Sequence, residues 1–296
     1  MPDPLELLEE GIRCEHSGAL ERAFERYQSA AELAEDPDVV SEALRRQAEI
    51  YRSRCEWENA LETAHRSADV ARRAKLPGRV AEALNAQASV YMSRGQFDTA
   101  APLLGQILAL TTDDRLRGIA LQNLGTIAAQ RGDLDAAEQR FAESGRCFER
   151  AHYARGQAFA LINSAAVQLD RGHYERACEL SREAVGRARE VNDMELIALA
   201  TKNLAEACVG KGDLAKAEDH ASEALGFFKL VENSWRQVEC YRLLGDICVR
   251  RGQCDAGVAC YQHGLNLAQR IGAQGEIAKF AAAMGRAESE TQGRIN

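Results

Sequence analysis

Three asparagines stand at intervals of forty residues along the chain, at Asn123, Asn163 and Asn203. A carboxamide side chain both donates and accepts hydrogen bonds. A regularly spaced row of them is therefore able to bind the backbone of an extended peptide with little dependence on the peptide's sequence. The alternative is that these asparagines serve only local solvation. Peptide binding is thus one of two roles that the pattern indicates.

Residues with catalytic or metal-binding chemistry do not form a recognised motif. The sequence contains no nucleophile elbow, no His-Glu-x-x-His motif, no glycine-rich phosphate loop and no cysteines at metal-ligand spacing. Thiols and imidazoles are most concentrated near the C terminus, where a metal or redox site is the alternative to packing: Cys240, Cys248, Cys254, Cys260 and His263. The pattern favours core-filling thiols. We therefore expect a protein that is not an enzyme and holds no metal or cofactor.

Composition restricts the fold and the partners. The chain has 296 residues with only 5 prolines and, by count, 51 alanines, which suits a protein built almost wholly of helices. Its net charge of −8 repels phosphate backbones and anionic membranes, so we expect no nucleic-acid or membrane partner. The nine cysteines include no C-x-x-C pair, which predicts reduced thiols. With no long apolar span and no signal-peptide pattern, we expect a cytoplasmic protein.

The elements that must position these residues are repeats. A turn residue recurs that has alanine or glycine seven positions before it and five positions after it. The turns lie at positions 18, 55, 95, 132, 172, 212 and 252, and successive turns are therefore separated by either thirty-seven or forty positions. Glycine occupies every one of these turn positions except Cys55. Fourteen small residues in fourteen slots do not arise by chance, so the chain contains seven repeats.

Apolar residues on both sides of each turn recur at three- and four-residue spacing, which is typical of amphipathic helices. Two helices joined by a tight turn approach closely only where neither carries a bulky side chain, which explains the small residues. Each repeat is therefore predicted to be a helical hairpin. Residues 276–288 are predicted to form a helix that caps the last hairpin, followed by a tail at 289–296. We expect Gly257 to weaken the second helix of that hairpin.

The segments Asn203-Leu204-Ala205, Gly212-Asp213-Leu214 and Ala217 together resemble the tetratricopeptide repeat (TPR). The usual unit of that family is shorter than the units found here. The longer units are similar to those of kinesin light chains, Pins-type spindle adaptors and Rap-type bacterial peptide sensors. The resemblance implies an all-α fold in which residues 1–296 form a single domain. In it, seven hairpins stack as a right-handed α-solenoid, and the first helix of each hairpin lines an inner groove.

Four positions on each first helix lie opposite the packed positions and would face that groove; they stand thirteen, ten, nine and six places before the turn. They are polar to apolar in the middle repeats and charged toward both ends. The charges either form a solvated surface or orient a charged peptide. Phe159 and Ile162 would form an exposed apolar spot if both face the groove. The predicted groove residues are Arg45, Arg46, Asn85, Ser89, Gln122, Asn123, Thr126, Phe159, Ile162, Asn163, Lys202, Asn203, Glu206, Arg242 and Asp246.

The hypothesis that follows is a non-enzymatic adaptor or regulator that binds an extended or helical peptide segment of another protein in its groove. One alternative is a bacterial regulator that senses a short peptide. The other is a structural scaffold that assembles with copies of itself, so a homo-oligomer stays open as a partner. Fold alone does not decide among these functions.

Overall fold

The computed structural model describes residues 2–295, and the side chains of residues 2–287. This part of the chain contains fifteen α-helices and no strand. The helices are α1 (Pro4–His16), α2 (Leu20–Leu33), α3 (Pro37–Ser53), α4 (Trp57–Arg73), α5 (Pro77–Ser93), α6 (Phe97–Leu110), α7 (Asp114–Gln130), α8 (Leu134–Arg150), α9 (Ala154–Asp170), α10 (Tyr174–Glu190), α11 (Met194–Lys211), α12 (Leu214–Leu230), α13 (Ser234–Arg250), α14 (Cys254–Arg270) and α15 (Gln274–Ile295).

A residue in the left-handed backbone region lies in the turn of each hairpin. Six of these seven residues are glycines, with φ between 70° and 79°. Glycine adopts this conformation without a steric penalty because it lacks a Cβ atom. Cys55 is the seventh and has φ of 59°, so the second hairpin closes with the strain that a side chain brings in this region.

The difference between the shorter and the longer repeat spacing lies in the second helix of the hairpin. Helices α2 and α6 have 14 residues, whereas α4, α8, α10, α12 and α14 have 17. The short helices end in extended backbone at Ala34 and Thr111. The long ones end two residues before another left-handed position, such as Lys75 or Asn192. The earlier end of α2 and α6 therefore accounts for the shorter repeat spacing.

The helices pack as two compact units. The first contains the residues up to Ala136 together with Arg146–Ala151, and the second contains Ala137–Gly145 together with the chain from His152 onward. Within the first unit, first helices of neighbouring hairpins pack on each other, α1 on α3, α3 on α5 and α5 on α7. Within the second, α9 packs on α11, α11 on α13 and α13 on α15. The single-domain organisation stays a prediction.

Small residues mark the places where paired helices meet. The alanines five positions after the turns are completely buried: Ala23, Ala60, Ala100, Ala137, Ala177 and Ala217. In the first and last hairpins, the residue nine positions after the turn is a tyrosine, Tyr27 or Tyr261. The residue of the first helix that faces each tyrosine is a glycine. A Cβ atom on Gly11 would lie 2.5 Å from the Tyr27 ring, and one on Gly245 would overlap the Tyr261 ring.

Gly257 belongs to the same close contact in the last hairpin. A Cβ atom there would lie 2.6 Å from Val249 Cγ2 and 3.1 Å from the carbonyl oxygen of Gly245. Helix α14 nevertheless runs unbroken from Cys254 to Arg270. The glycine therefore permits close packing without interrupting the helix.

Helix α15 packs against the last hairpin and is longer than the predicted cap. It starts at Gln274 and continues through Gly285 and Gly293 to Ile295, because this segment contains no proline, the residue that would break the helix. The predicted tail at 289–296 is therefore helical through residue 295, and Asn296 lies outside the described residues. Phe280, Ala283 and Ala287 of α15 are buried in one cluster with Tyr261 and Ala268.

None of the helices in the described part of the chain combines the length and the apolar character needed to cross a bilayer.

We predict that Gly245→Ala lowers the free energy of unfolding by about 1–3 kcal/mol, because the added methyl group overlaps the Tyr261 ring in a packed interior. Gly226→Ala is the matched control. Gly226 also lies inside a helix, but no atom lies within 4 Å of the position that an added Cβ atom would take. This substitution should therefore raise the free energy of unfolding by up to about 1 kcal/mol. Urea denaturation followed by circular dichroism measures both. Equal effects of the two substitutions would show that close approach does not govern this hairpin.

Candidate functional site

The predicted groove residues lie on six first helices and fall into two sets, one in each unit. The set of the first unit is on α3, α5 and α7, and the set of the second is on α9, α11 and α13. Because first helices pack side by side within a unit, each set occupies a continuous layer of helices.

The first unit has a cavity of about 410 Å³ between its first helices. It includes three predicted residues, Arg45, Arg46 and Asn85. The remaining lining residues come from α3, α5, the α6–α7 loop and α7: Glu42, Gly78, Glu82, Thr111, Asp113, Arg115, Leu116 and Ile119. Both acidic and basic side chains line it, so its surface is largely polar and charged.

A buried carboxylate organises the arginines of this cavity. The Glu42 side chain is only 8% exposed and accepts hydrogen bonds from three arginines. Arg45 binds it through two nitrogens at 2.9 and 2.7 Å, Arg46 Nε lies at 2.6 Å and Arg79 lies at 2.9 Å. Burial by itself raises the pKa of Glu42, but the three guanidinium groups together hold that pKa below its ordinary value. Glu42 is therefore charged at neutral pH.

The network continues to the neighbouring helices. Arg46 also donates to Glu15 of α1 at 2.9 Å, and the Tyr27 hydroxyl of α2 donates to the same carboxylate at 2.5 Å. Arg79 of α5 binds Asp38 through two nitrogens, both at 2.8 Å. These bonds tie α1, α3 and α5 together. Arg45 and Arg46 are thus already paired with carboxylates of the protein, Glu42 and Glu15.

Sequence reasoning missed Glu42, Glu82 and Arg79. The signal for the two glutamates was present, because both stand thirteen positions before their turns, at a place assigned to the open face. Arg79 stands sixteen positions before its turn and outside that assigned set. Its role depends on the reach of a long side chain across to α3, which spacing alone does not reveal.

Two carboxamides in the first unit have a buried oxygen without a protein partner. These atoms are Asn85 Oδ1 and Gln122 Oε1, and both residues lie ten positions before their turns. Thr126 bonds back to the carbonyl oxygen of Gln122 at 3.1 Å, which uses its hydroxyl within α7. Ser89 and Asn123 are partly buried. Buried polar atoms without partners are rare in folded proteins, and water or a ligand commonly satisfies them.

The asparagines of the second unit differ from each other. Asn203 is 5% exposed, and its Nδ2 atom donates to the carbonyl oxygen of Ile162 on α9 at 3.0 Å. The Nδ2 atom of Asn163 is buried but has no protein partner. Asn203 therefore links two first helices, whereas Asn163 keeps an unused donor.

The expected exposed apolar spot does not form. Ile162 is 6% exposed, and it belongs to the main hydrophobic cluster of the second unit. Phe159 packs against the same cluster and is only partly buried. Neighbouring first helices approach closely enough to cover Ile162, so only Phe159 keeps some exposed apolar surface.

Charged residues toward the end of the second unit are paired. Lys202 Nζ lies 2.7 Å from Glu206 Oε1. Arg242 lies 3.8 Å from Asp246 and 3.4 Å from Glu276 of α15, whose side chain is 7% exposed. Asp246 also accepts a 2.7 Å hydrogen bond from the Tyr261 hydroxyl. These pairs form within helices and to the capping helix, which agrees with the predicted four-residue spacing.

In the last hairpin the thiols of Cys240, Cys248 and Cys254 are buried and that of Cys260 is partly buried, as expected for side chains that pack in a core. Burial raises the pKa of Cys240 to about 12 and the pKa of Cys260 to about 11, so neither forms a thiolate readily at neutral pH. His263 stacks on Tyr241 with ring centroids 5.8 Å apart. Among the described residues, no three His, Cys, Asp or Glu side chains come together in a way that could hold a metal ion.

Comparison with known families decides the repeat type. The model of the MalT-like TPR region matches residues 81–273, nearly two thirds of the chain. The chain belongs to the MalT-like TPR family. The resemblance to the tetratricopeptide repeat is therefore confirmed. A search of curated proteins gives no match.

Solved structures show the same fold at low sequence identity. A Rap protein complexed with Competence and Sporulation Factor aligns over 98% of this chain and 87% of its own, with a TM-score of 0.72 and 14% identity. The apo form of the quorum sensor NprR from B. thuringiensis aligns over 95% of this chain and 79% of its own, with a TM-score of 0.64 and 13% identity. A STAND protein with a tetratricopeptide repeat sensor from Pyrococcus horikoshii aligns over 94% of this chain and 44% of its own, with a TM-score of 0.69 and 15% identity. The all-α helical-repeat fold is thereby confirmed.

We predict that Asn203→Ala lowers the free energy of unfolding by about 0.5–1.5 kcal/mol, because it removes a buried hydrogen bond to α9. Asn163→Ala should cost less, since the Asn163 amide donor has no bond to lose. Urea denaturation of both variants measures the difference. A larger loss for Asn163→Ala would contradict the separate roles of the two side chains.

We predict that Glu42→Gln lowers the free energy of unfolding at pH 7 by about 3 kcal/mol, because it leaves three arginines without their shared carboxylate. The folded-state pKa of Glu42 is depressed. The stabilisation that ionised Glu42 gives the folded protein is therefore fully present above the ordinary glutamate pKa of 4.5. It is lost as the pH falls through the lower pKa that Glu42 has in the folded state.

The unfolding free energy of the wild-type protein should accordingly fall below about pH 4.5, and that of Glu42→Gln should fall less steeply. Glu82→Gln is the control, because the Glu82 side chain is 30% exposed and pairs with Arg79. Denaturation at a series of pH values measures both slopes. Equal slopes for Glu42→Gln and the wild type would contradict the role assigned to this carboxylate.

Proposed function

We propose that this MalT-like TPR chain is a regulator or adaptor that binds a peptide segment of another protein along the open faces of its first helices. The observation that carries the proposal is the set of buried carboxamide atoms that the fold leaves without partners. They are acceptors in the first unit, Asn85 Oδ1 and Gln122 Oε1, and a donor in the second, Asn163 Nδ2. A peptide backbone carries both complementary groups at every residue except proline.

The positions of these atoms support a backbone ligand. All three residues stand nine or ten positions before a turn, on the helix face assigned to the groove. Each unpaired buried group costs about 1–3 kcal/mol relative to a paired one, so a ligand that satisfies it gains affinity. The charged side chains nearby, by contrast, are already paired within the fold.

Sensing of a free short peptide is the second candidate function. The Rap structure was solved with Competence and Sporulation Factor bound, and NprR is described as a quorum sensor. Both align over at least 95% of this chain. These similarities support a free short peptide as the alternative ligand.

The test selects binders from a displayed library of random short peptides and measures their affinity by calorimetry. We predict that Asn163→Ala weakens the selected peptides about three- to tenfold, the equivalent of one neutral hydrogen bond. Asn266→Ala is the matched control, because Asn266 lies on the second helix α14 and bonds to Gln262. Unchanged affinity for Asn163→Ala, or a library without selectable binders, would contradict the proposal.

A further inference from the structure

Another pocket of the first unit, of about 500 Å³, lies where the end of α4, the start of α5 and the end of α6 meet. Volumes of about 300–1,000 Å³ are typical of ligand pockets. None of its described lining residues belongs to the candidate peptide site. Its wall is mostly apolar: Leu76, Pro77, Val80, Leu84 and Leu110. The other lining residues are Arg72, Lys75 and Gln106. We call it the outer pocket.

The outer pocket is open because α6 ends early. Helices α4 and α6 both pack on α5, but within the described residues they do not pack on each other. Helix α6 has 14 residues and ends at Leu110, three residues short of the long second helices. Since the paired helices α5 and α6 run antiparallel, the missing turn would have covered the start of α5. Leu110 is therefore left 40% exposed, and Pro77 is exposed beside it.

The start of α5 has an apolar residue where most first helices have a polar cap. In five of the seven first helices, the side chain of an Asp or Asn at the N-cap accepts a hydrogen bond from the helix backbone: Asp3, Asp36, Asp113, Asp193 and Asn233. In α5 this position is Leu76, which makes no such bond. Leucine is a poorer N-cap than either polar residue. Helix capping therefore does not account for Leu76, whose partly buried side chain supplies apolar surface to the pocket.

Basic side chains border the outer pocket on the α4 side. Its lining includes Arg72 and Lys75, and no acidic side chain among the residues that the structure describes. Lys75 is exposed and has no ion pair within the described part of the chain. Arg73 adds a third exposed positive charge at the end of α4.

Acidic residues close in sequence to the pocket do not cancel these charges. Asp69 pairs with Arg72 at 2.9 Å, but both side chains are about half exposed, and such a pair is weak. Beyond the end of α6, Asp113 caps α7 and Asp114 binds an arginine of α8 through two nitrogens. Helix α6 itself carries one charged residue, Asp98, in its first turn and at the opposite end from the pocket. The outer pocket is thus locally basic in a chain with a net charge of −8.

We propose that the outer pocket binds an acidic amphipathic segment of another protein. Apolar side chains of the segment pack against Leu76, Val80 and Leu110, and its carboxylates pair with Arg72 and Lys75. Charge complementarity selects this occupant, because a basic segment would be repelled and a purely apolar one would cover the two cations without pairing them. The inference does not depend on the proposed peptide binding, since the two sites share no residue.

Selection from a displayed library of random short peptides on the whole chain, with depletion on Leu76→Asp, isolates peptides that need the outer pocket. We expect them to be enriched in both large apolar residues and Asp or Glu. Leu76→Asp places a favourable cap on α5, so circular dichroism should show this variant folded. A selection without pocket-dependent peptides, or with peptides that lack acidic residues, would overturn the proposal.

Fluorescence anisotropy of the best selected peptide then compares matched variants. We expect Leu110→Asp and Lys75→Glu each to weaken binding at least about tenfold, because each sets a negative charge against the acidic peptide. The controls are Leu33→Asp, at the 41% exposed last residue of α2, and Arg182→Glu, at an exposed arginine of α10. They should leave the affinity unchanged. Losses as large in the controls as in the pocket variants would contradict the assigned site.

Salt and self-association provide two further readouts. Binding should weaken at least about threefold between about 0.1 M and 1 M sodium chloride, because salt screens exposed charge pairs. Affinity that does not change with salt would rule out the pairing with Arg72 and Lys75. Sedimentation velocity should show no dimer that depends on Leu110. A dimer that Leu110→Asp dissociates would show that a second copy occupies the pocket, and the proposal would then be wrong.

Discussion

The structure depends on how closely two helices approach across a tight turn. Completely buried alanines sit five positions after the turns, and the facing positions carry alanine or glycine. In the last hairpin the constraint is tightest, because Gly245 and Gly257 both lie where a methyl group would overlap a neighbour. Since each hairpin is narrow, first helices of neighbouring hairpins also meet within a unit. Their opposite faces carry the residues of the proposed peptide site.

Helix packing and the proposed peptide binding would use the same polar side chains. Glu42 and its three arginines illustrate one outcome, in which a charged group at a predicted groove-facing position is already hydrogen-bonded to arginines of its own and the neighbouring first helix. Asn163 illustrates the other, in which a buried donor is left without a partner. A group that the fold has already satisfied gains little from a ligand, whereas an unsatisfied group gains a full hydrogen bond. The unpaired carboxamides therefore indicate binding better than the charged residues do.

Sequence patterns predicted the repeats, the hairpins and the small residues because these follow from local helix geometry and from identical environments in each repeat. They did not distinguish Asn203 from Asn163, since the two have the same offset, whereas in the structure the Asn203 amide nitrogen bonds to the Ile162 carbonyl oxygen and the Asn163 amide nitrogen has no partner. Burial of Ile162 likewise depends on the distance between helices of different repeats. The length of α15 also exceeded the prediction, because repeat register marks where a unit ends but not where its last helix stops.

The most direct measurement follows the side-chain amide signals of Asn163 and Asn203 by ¹⁵N NMR during titration with a bound peptide. If open-face carboxamides bind a peptide backbone, the Asn163 amide signal shifts and its protons exchange more slowly with solvent, while the Asn203 amide, already bonded to Ile162, changes little. An Asn163 signal that stays unchanged at saturating peptide would contradict this central claim.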